Sequence, residues 1–258
     1  ITQGGFLLLV NTALGAETSG VYSLALTASR VLGGVMTVLA GVFLPTAMRQ
    51  FASGDREALC SEILRAQKLI GFFTLAGVSM TVGFLKEFLS LWLGVGNTQL
   101  LRYLTVLAIV PMLSVATALP FFHLSVVMNR LRRMALLYAA SALLGGALSA
   151  ALIFFTELGV FGVAAVAFAV RVLWYSAFMP FYASRLLGVP PLRLFSPILR
   201  TYLGAGVSVG IIFALKSVCR LSSLPSIFIV AAVSLCAVLF VGFVAVYGKV
   251  KERINLKI

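Results

Sequence analysis

The chain has 258 residues, of which 61% are hydrophobic and only 10% charged, and its mean hydropathy is +1.11. A water-soluble domain carries about 25% charged residues, and no soluble globule of this size can hide so much apolar surface, so lipid must be the solvent for most of it. The net charge of +13 would point to nucleic acid in a soluble protein, but in a membrane chain the positive-inside rule accounts for it, and no nucleic-acid partner is expected.

The apolar runs are long and unbroken, which excludes the alternating pattern of an outer-membrane β-barrel and predicts an all-α, polytopic transmembrane bundle of about eight spans. About 20 apolar residues are needed to cross the hydrocarbon layer. On that measure residues 1–15 form a partial first span, starting abruptly in hydrophobic sequence without an initiator Met, as expected of a fragment. Full spans follow at about 21–48, 68–93, 100–127, 135–155, 160–184, 197–216 and 225–247. Between the second and third lies Gly54-Asp55, then Leu59, Ile63 and Leu64 at helical spacing. Asp55 is an N-cap residue by type and place, and the segment reads as a short amphipathic helix on the membrane surface; an extension of the next span is the alternative. Pro111 and Pro120 are expected to kink the span that holds them. Gly204, Gly206 and Gly210 are read as helix packing, since Gly206 and Gly210 form a G-x-x-x-G pair.

The connections alternate in charge. Arg49, Arg56, Arg65 and Lys68, then Arg130, Arg132 and Arg133, then Arg185, Arg193 and Arg200, and finally the tail from Lys249 fall on one side. Only Lys86, Arg102, Lys216 and Arg220 fall on the other. The basic side is therefore expected to be cytoplasmic, with the C-terminus on it, and an even number of spans is expected to precede Ile1. Cys60, Cys219 and Cys236 form no C-x-x-C pair and read as small apolar filler. No Ser-His-Asp, paired-carboxylate or metal-ligand arrangement stands in the sequence, so no enzyme, metal or cofactor is expected.

All seven acids lie at span ends or in loops, while Arg30 and Arg171 lie well inside spans. Each is about ten residues from the outer end, or roughly 15 Å at the helical rise. An arginine at that depth is costly and must face a cavity or a partner. With no acid at the same depth, two guanidinium groups suit an anion, phosphate above all; the alternative is a structural arginine held by backbone carbonyls or by another segment. Ser23, Thr27, Arg30, Gly34, Thr37 and Gly41 step by three or four and share one helix face, either the wall of a hydrated cavity or a small-residue seam. Beside Arg171 stand Phe168, Trp174, Tyr175, Phe178 and Tyr182. Trp174 and Tyr175 are candidates to stack on a sugar, with packing or an interfacial belt as the alternative.

The run from Gly20 through Arg30, the Leu44-Pro45 exit, the Gly54-Asp55 loop and the Leu91-Trp92-Leu93-Gly94 span end resemble the oligosaccharide flippases of the multidrug/oligosaccharidyl-lipid/polysaccharide exporter superfamily. The resemblance covers the whole chain as the C-terminal half of a fourteen-span member: 1–196 as the core of the C-terminal lobe, and 197–258 as two additional spans with a basic tail. It implies an alternating-access transporter in the bacterial cytoplasmic (inner) membrane that moves a polyprenyl-pyrophosphate-linked oligosaccharide outward for cell-surface polysaccharides such as O-antigen. The partners it implies are that glycan, membrane lipid and an N-terminal lobe of the same protein. Arg30 matches a cationic cavity position of the family. Asn11, in the first span, stands where many relatives carry Asp, so ion coupling at that substrate-cavity position is not implied. A cation-coupled drug exporter of the same superfamily and a non-transporting scaffold of a polysaccharide-assembly complex stay open as alternatives.

Overall fold

The computed structural model describes residues 2–94, 98–219 and 224–247, and every regular element among them is helical. In chain order these are α1 (Thr2–Leu14), α2 (Ala16–Gly41), α3 (Leu44–Ala52), α4 (Arg56–Leu93), α5 (Gln99–Ile109), α6 (Met112–Val127), α7 (Leu131–Phe155), α8 (Gly159–Leu173), α9 (Met179–Leu187), α10 (Pro191–Val218) and α11 (Leu224–Tyr247), with a π-helical turn (Trp174–Phe178) joining α8 to α9. Among the described residues seven stretches are long and apolar enough to cross a membrane, and Gly4–Leu14 is a shorter apolar helix before them. The protein is a multi-pass helical membrane bundle.

Asp55 caps α4, its Oδ1 accepting from the Ala58 N–H at 2.9 Å. The helix it starts runs unbroken for 38 residues to Leu93, so no separate surface helix precedes the span. The apolar stripe expected to lie on lipid faces protein instead: Leu59, Cys60 and Ile63 are buried with Ala47, Leu124, Ala183 and Leu194. Gly94, at φ 62°, then stops α4 in the left-handed conformation that glycine adopts at little cost.

The span holding both prolines is divided once. α5 ends at Ile109 and α6 starts at Met112, with Val110 and Pro111 between, whereas Pro120 lies within α6. This broken span is the central post: 72% of its most apolar window is buried, against 11% for α7 on the periphery.

α4 and α10 pack side by side and parallel. Contacts climb both helices together, from Gln67 Nε2 on the Leu194 carbonyl at 3.4 Å, through Gly71 against Thr201 and Gly83 against Ile212, to Lys216 beside Glu87. The glycine that lets these helices close on α10's side is Gly204, where a Cβ would lie 2.5 Å from Leu75 Cδ1 and 3.0 Å from Ala245 Cβ. Gly206 and Gly210 have nothing within 4 Å of theirs, so the expected G-x-x-x-G pair points away from the contact. α10 starts at Pro191, six residues before the start expected at Pro197.

The basic connections gather at one end. Arg193 Nη2 pairs with Glu57 Oε1 at 2.9 Å, and the Tyr182 hydroxyl donates to the Arg130 carbonyl at 3.2 Å. One apolar cluster (Phe6, Tyr22, Leu26, Leu104, Val163, Ala167) fills the opposite end, and another (Leu59, Phe121, Leu124, Trp174, Met179, Leu194) fills the basic end. Along α2, α6 and α8 the residues left between those clusters line a cavity.

Candidate functional site

The cavity has a volume of about 330 Å³. α2 contributes Ser29, Arg30, Gly33 and Thr37, and α6 contributes Met112, Val115 and Leu119. Tyr138 from α7, Arg171 from α8 and Tyr175 from the π turn complete it. The two intramembrane arginines, 141 positions apart in sequence, thus line one space, together with Thr37 and Tyr175 of the other candidates.

The polar face of α2 is open. Thr27, Arg30, Gly34 and Thr37 are exposed, and a Cβ at Gly34 or Gly41 would meet nothing within 4 Å. Among the described residues, then, the small-residue face is not a packing seam. Three hydroxyls of α2 are already committed as donors: Thr27 Oγ1 to the Ser23 carbonyl (3.2 Å) and Thr37 Oγ1 to Gly33 (2.8 Å) on this face, and the buried Ser29 Oγ to Leu26 (2.8 Å) beside it. Their oxygens remain only as acceptors, so the donors best suited to an anion here are the guanidinium N–H groups of Arg30 and Arg171.

Arg171 is 8% exposed, and its Nη2 is buried with no hydrogen-bond partner. Neither ion pair among the described residues, Arg193–Glu57 or Lys216–Glu87, involves it or Arg30. A buried charge without a partner is expensive, because desolvation is not repaid. The local backbone presents it: α8 gives way at Trp174 to a π turn in which the Met179 N–H bonds the Trp174 carbonyl five residues back. Such single wide turns recur at functional sites, and here Arg171 and Tyr175 reach the same cavity from either side of its start.

The other candidates are placed elsewhere. Thr27 lines a separate apolar groove of about 410 Å³ between α2 and α4, with Val31, Val35, Phe88 and Trp92. Trp174 is buried and stacks on Phe178 at 4.3 Å between ring centroids, outside the cavity lining. Asn11 is exposed on α1, also outside it. Tyr138 was not singled out from sequence. Its ring lies 5.5 Å from that of Trp174 and 6.4 Å from that of Tyr175. The signal for it is faint: one hydroxylated aromatic three residues before Ser141 and seven before Gly145, a polar-and-small line in an otherwise aliphatic helix.

Compared with known proteins, the chain is 24% identical over 252 residues to the uncharacterized membrane protein EpsK of Bacillus subtilis strain 168. The match takes in 97% of this chain and 50% of that protein, so the chain spans about half the length of this relative. No protein-family model and no solved structure matches it.

Proposed function

We propose that this chain is one lobe of an alternating-access transporter that flips a polyprenyl-pyrophosphate-linked oligosaccharide across the cytoplasmic membrane, from a basic, cytoplasmic face outward. The observation that carries this reading is the convergence of Arg30 and Arg171 on one cavity away from every described carboxylate. Two guanidinium forks complement the oxygens of a diphosphate. A second lobe, for which the doubled length of the relative leaves room, would close over the open face of α2 and complete the cavity. With the cytoplasm negative, moving two negative charges outward gains about 4–5 kcal/mol per 100 mV, so the direction is downhill without a coupled ion. A cation-coupled exporter would instead need an embedded carboxylate, and the described acids stand at helix ends.

The test uses the full-length protein in a strain deleted for it. Each charge-assisted contact is worth about 1.5–3 kcal/mol, so Arg30→Ala should cut transport by roughly 10- to 100-fold while the protein still inserts. Lipid-linked intermediate should then accumulate on the cytoplasmic face, and Arg30→Lys should recover part of the activity. Normal transport by Arg30→Ala would remove the role given to this residue, and an unchanged intermediate pool in the deletion strain would favour a scaffold.

A further inference from the structure

Outside the cavity, Arg200 is one of the cations that enter no ion pair among the described residues. It lies nine residues into α10, and Lys216 lies sixteen residues further on. At the helical rise these two are about 24 Å apart along the axis, against a hydrocarbon layer of about 30 Å, so they stand at its opposite boundaries. Lys216 is fully engaged there: its Nζ is 2.6 Å from Glu87 Oε1 and 2.9 Å from the Gly83 carbonyl, between the rings of Phe84 and Phe213. Arg200 enters no ion pair among the described residues.

Arg200 instead lines a groove of about 690 Å³ along α10, with Leu192, Arg193, Phe195, Leu199 and Leu203. Leu192, Leu199 and Leu203 are each more than 60% exposed. The groove shares no residue with the cavity. Arg193 stands seven residues before Arg200, on the same helix face and about 10 Å further out. It is paired with Glu57, which is itself 75% exposed, while the Arg200 guanidinium enters no ion pair among the described residues and keeps its end of the groove positive. The headgroup layer is about 5–8 Å deep on each side of the hydrocarbon. Two arginines therefore bracket that layer, above an apolar trough that continues below it. An uncharged chain would make no use of them; a phosphodiester carrying acyl chains uses both parts.

We propose that α10 carries a binding site for an anionic phospholipid, with Arg200 on its phosphate at the hydrocarbon boundary, Arg193 on the headgroup, and Leu199 and Leu203 against an acyl chain. The site stands independently of the transport reading of the cavity.

The test is a binding titration of the purified full-length protein in detergent, using fluorescent phosphatidylglycerol with unlabelled phosphatidylglycerol, phosphatidylcholine or a neutral polyprenol as competitor. Phosphatidylglycerol should bind saturably and phosphatidylcholine should compete poorly. Each basic residue near a membrane surface is worth about a fivefold change in affinity. Arg200→Gln should therefore weaken binding about fivefold and the Arg193→Gln/Arg200→Gln pair by up to about 25-fold. Arg200→Lys should retain most of it, and Arg102→Gln, at the other end of the bundle, should change nothing. Undiminished affinity in Arg200→Gln overturns the proposal, as does equal competition by phosphatidylcholine. Displacement by polyprenol would make the groove the berth of an uncharged chain and overturn it equally. The comparison of competitors on the unaltered protein holds even if a variant is lost in purification.

Discussion

At the scale of single residues, Arg30 and Arg171 differ in what each does to the folded state. Arg30 is exposed, so its charge is solvated wherever water enters, whereas Arg171 keeps a buried, unpartnered Nη2. A charge held in that way is a standing cost. Replacing buried ionic groups by apolar ones of similar volume is often neutral or stabilising, by about 1–4 kcal/mol. Arg171→Met should therefore resist thermal unfolding in detergent as well as the parent or better, while losing substrate binding, and Arg30→Met should change stability by less than about 0.5 kcal/mol. A large loss of stability in Arg171→Met would mean that the arginine is a structural tie to backbone. Both arginines were legible in the sequence, because charge at mid-span is conspicuous against apolar neighbours. Tyr138 was not, because a tyrosine in an apolar helix carries no mark of which face it occupies. Of the two readings open for Trp174, the structure takes packing: the ring is buried on Phe178 outside the cavity lining, and spacing beside Arg171 does not tell it from Tyr175, which lines the cavity.

At the scale of elements, the spans were legible because hydropathy over about 20 residues is a strong signal, and the errors fall where one pattern serves two environments. Leu59, Ile63 and Leu64 make the same stripe whether it meets lipid or protein, and only the neighbouring α3, α6, α9 and α10 decide for protein. The glycines of α10 show the same ambiguity. Spacing favoured Gly206 and Gly210, yet the close approach is made by Gly204, which faces Leu75 on α4 and Ala245 on α11. Leu75 is fully buried and has nowhere to swing. Gly204→Ala should therefore wedge α10 from its neighbours and cost about 1–3 kcal/mol, the usual range for overpacking. Gly206→Ala, with open space before it, should be neutral or slightly stabilising, since alanine suits a helix interior better. Chemical or thermal unfolding of the two variants side by side measures this, and equal loss in both would contradict the packing described here.

At the scale of the whole molecule, the charge asymmetry is a property of the bundle and not of separate loops. The Arg193–Glu57 pair and the Tyr182–Arg130 hydrogen bond tie three basic connections together, while Lys216 and Glu87 mark the far end. Orientation is then all-or-none, and one probe at each end reports it. If the basic end is cytoplasmic, as the positive-inside rule requires, a cysteine at Arg132 should be protected from a membrane-impermeant thiol reagent in intact cells and become reactive on permeabilisation. A cysteine at Glu157 should react in intact cells. The background matters, because Cys219, at the end of α10 away from the basic connections, is exposed, and so is Cys236 at mid-span of α11, where an impermeant reagent does not reach, whereas Cys60 is buried. Cys219→Ser must come first, and with Cys219 restored the parent protein should itself label from outside. The reverse pattern would invert the molecule. The diphosphate would then have to enter from the less basic face, or move inward from the basic one against the membrane potential, and the proposed route from a basic cytoplasmic face outward survives neither.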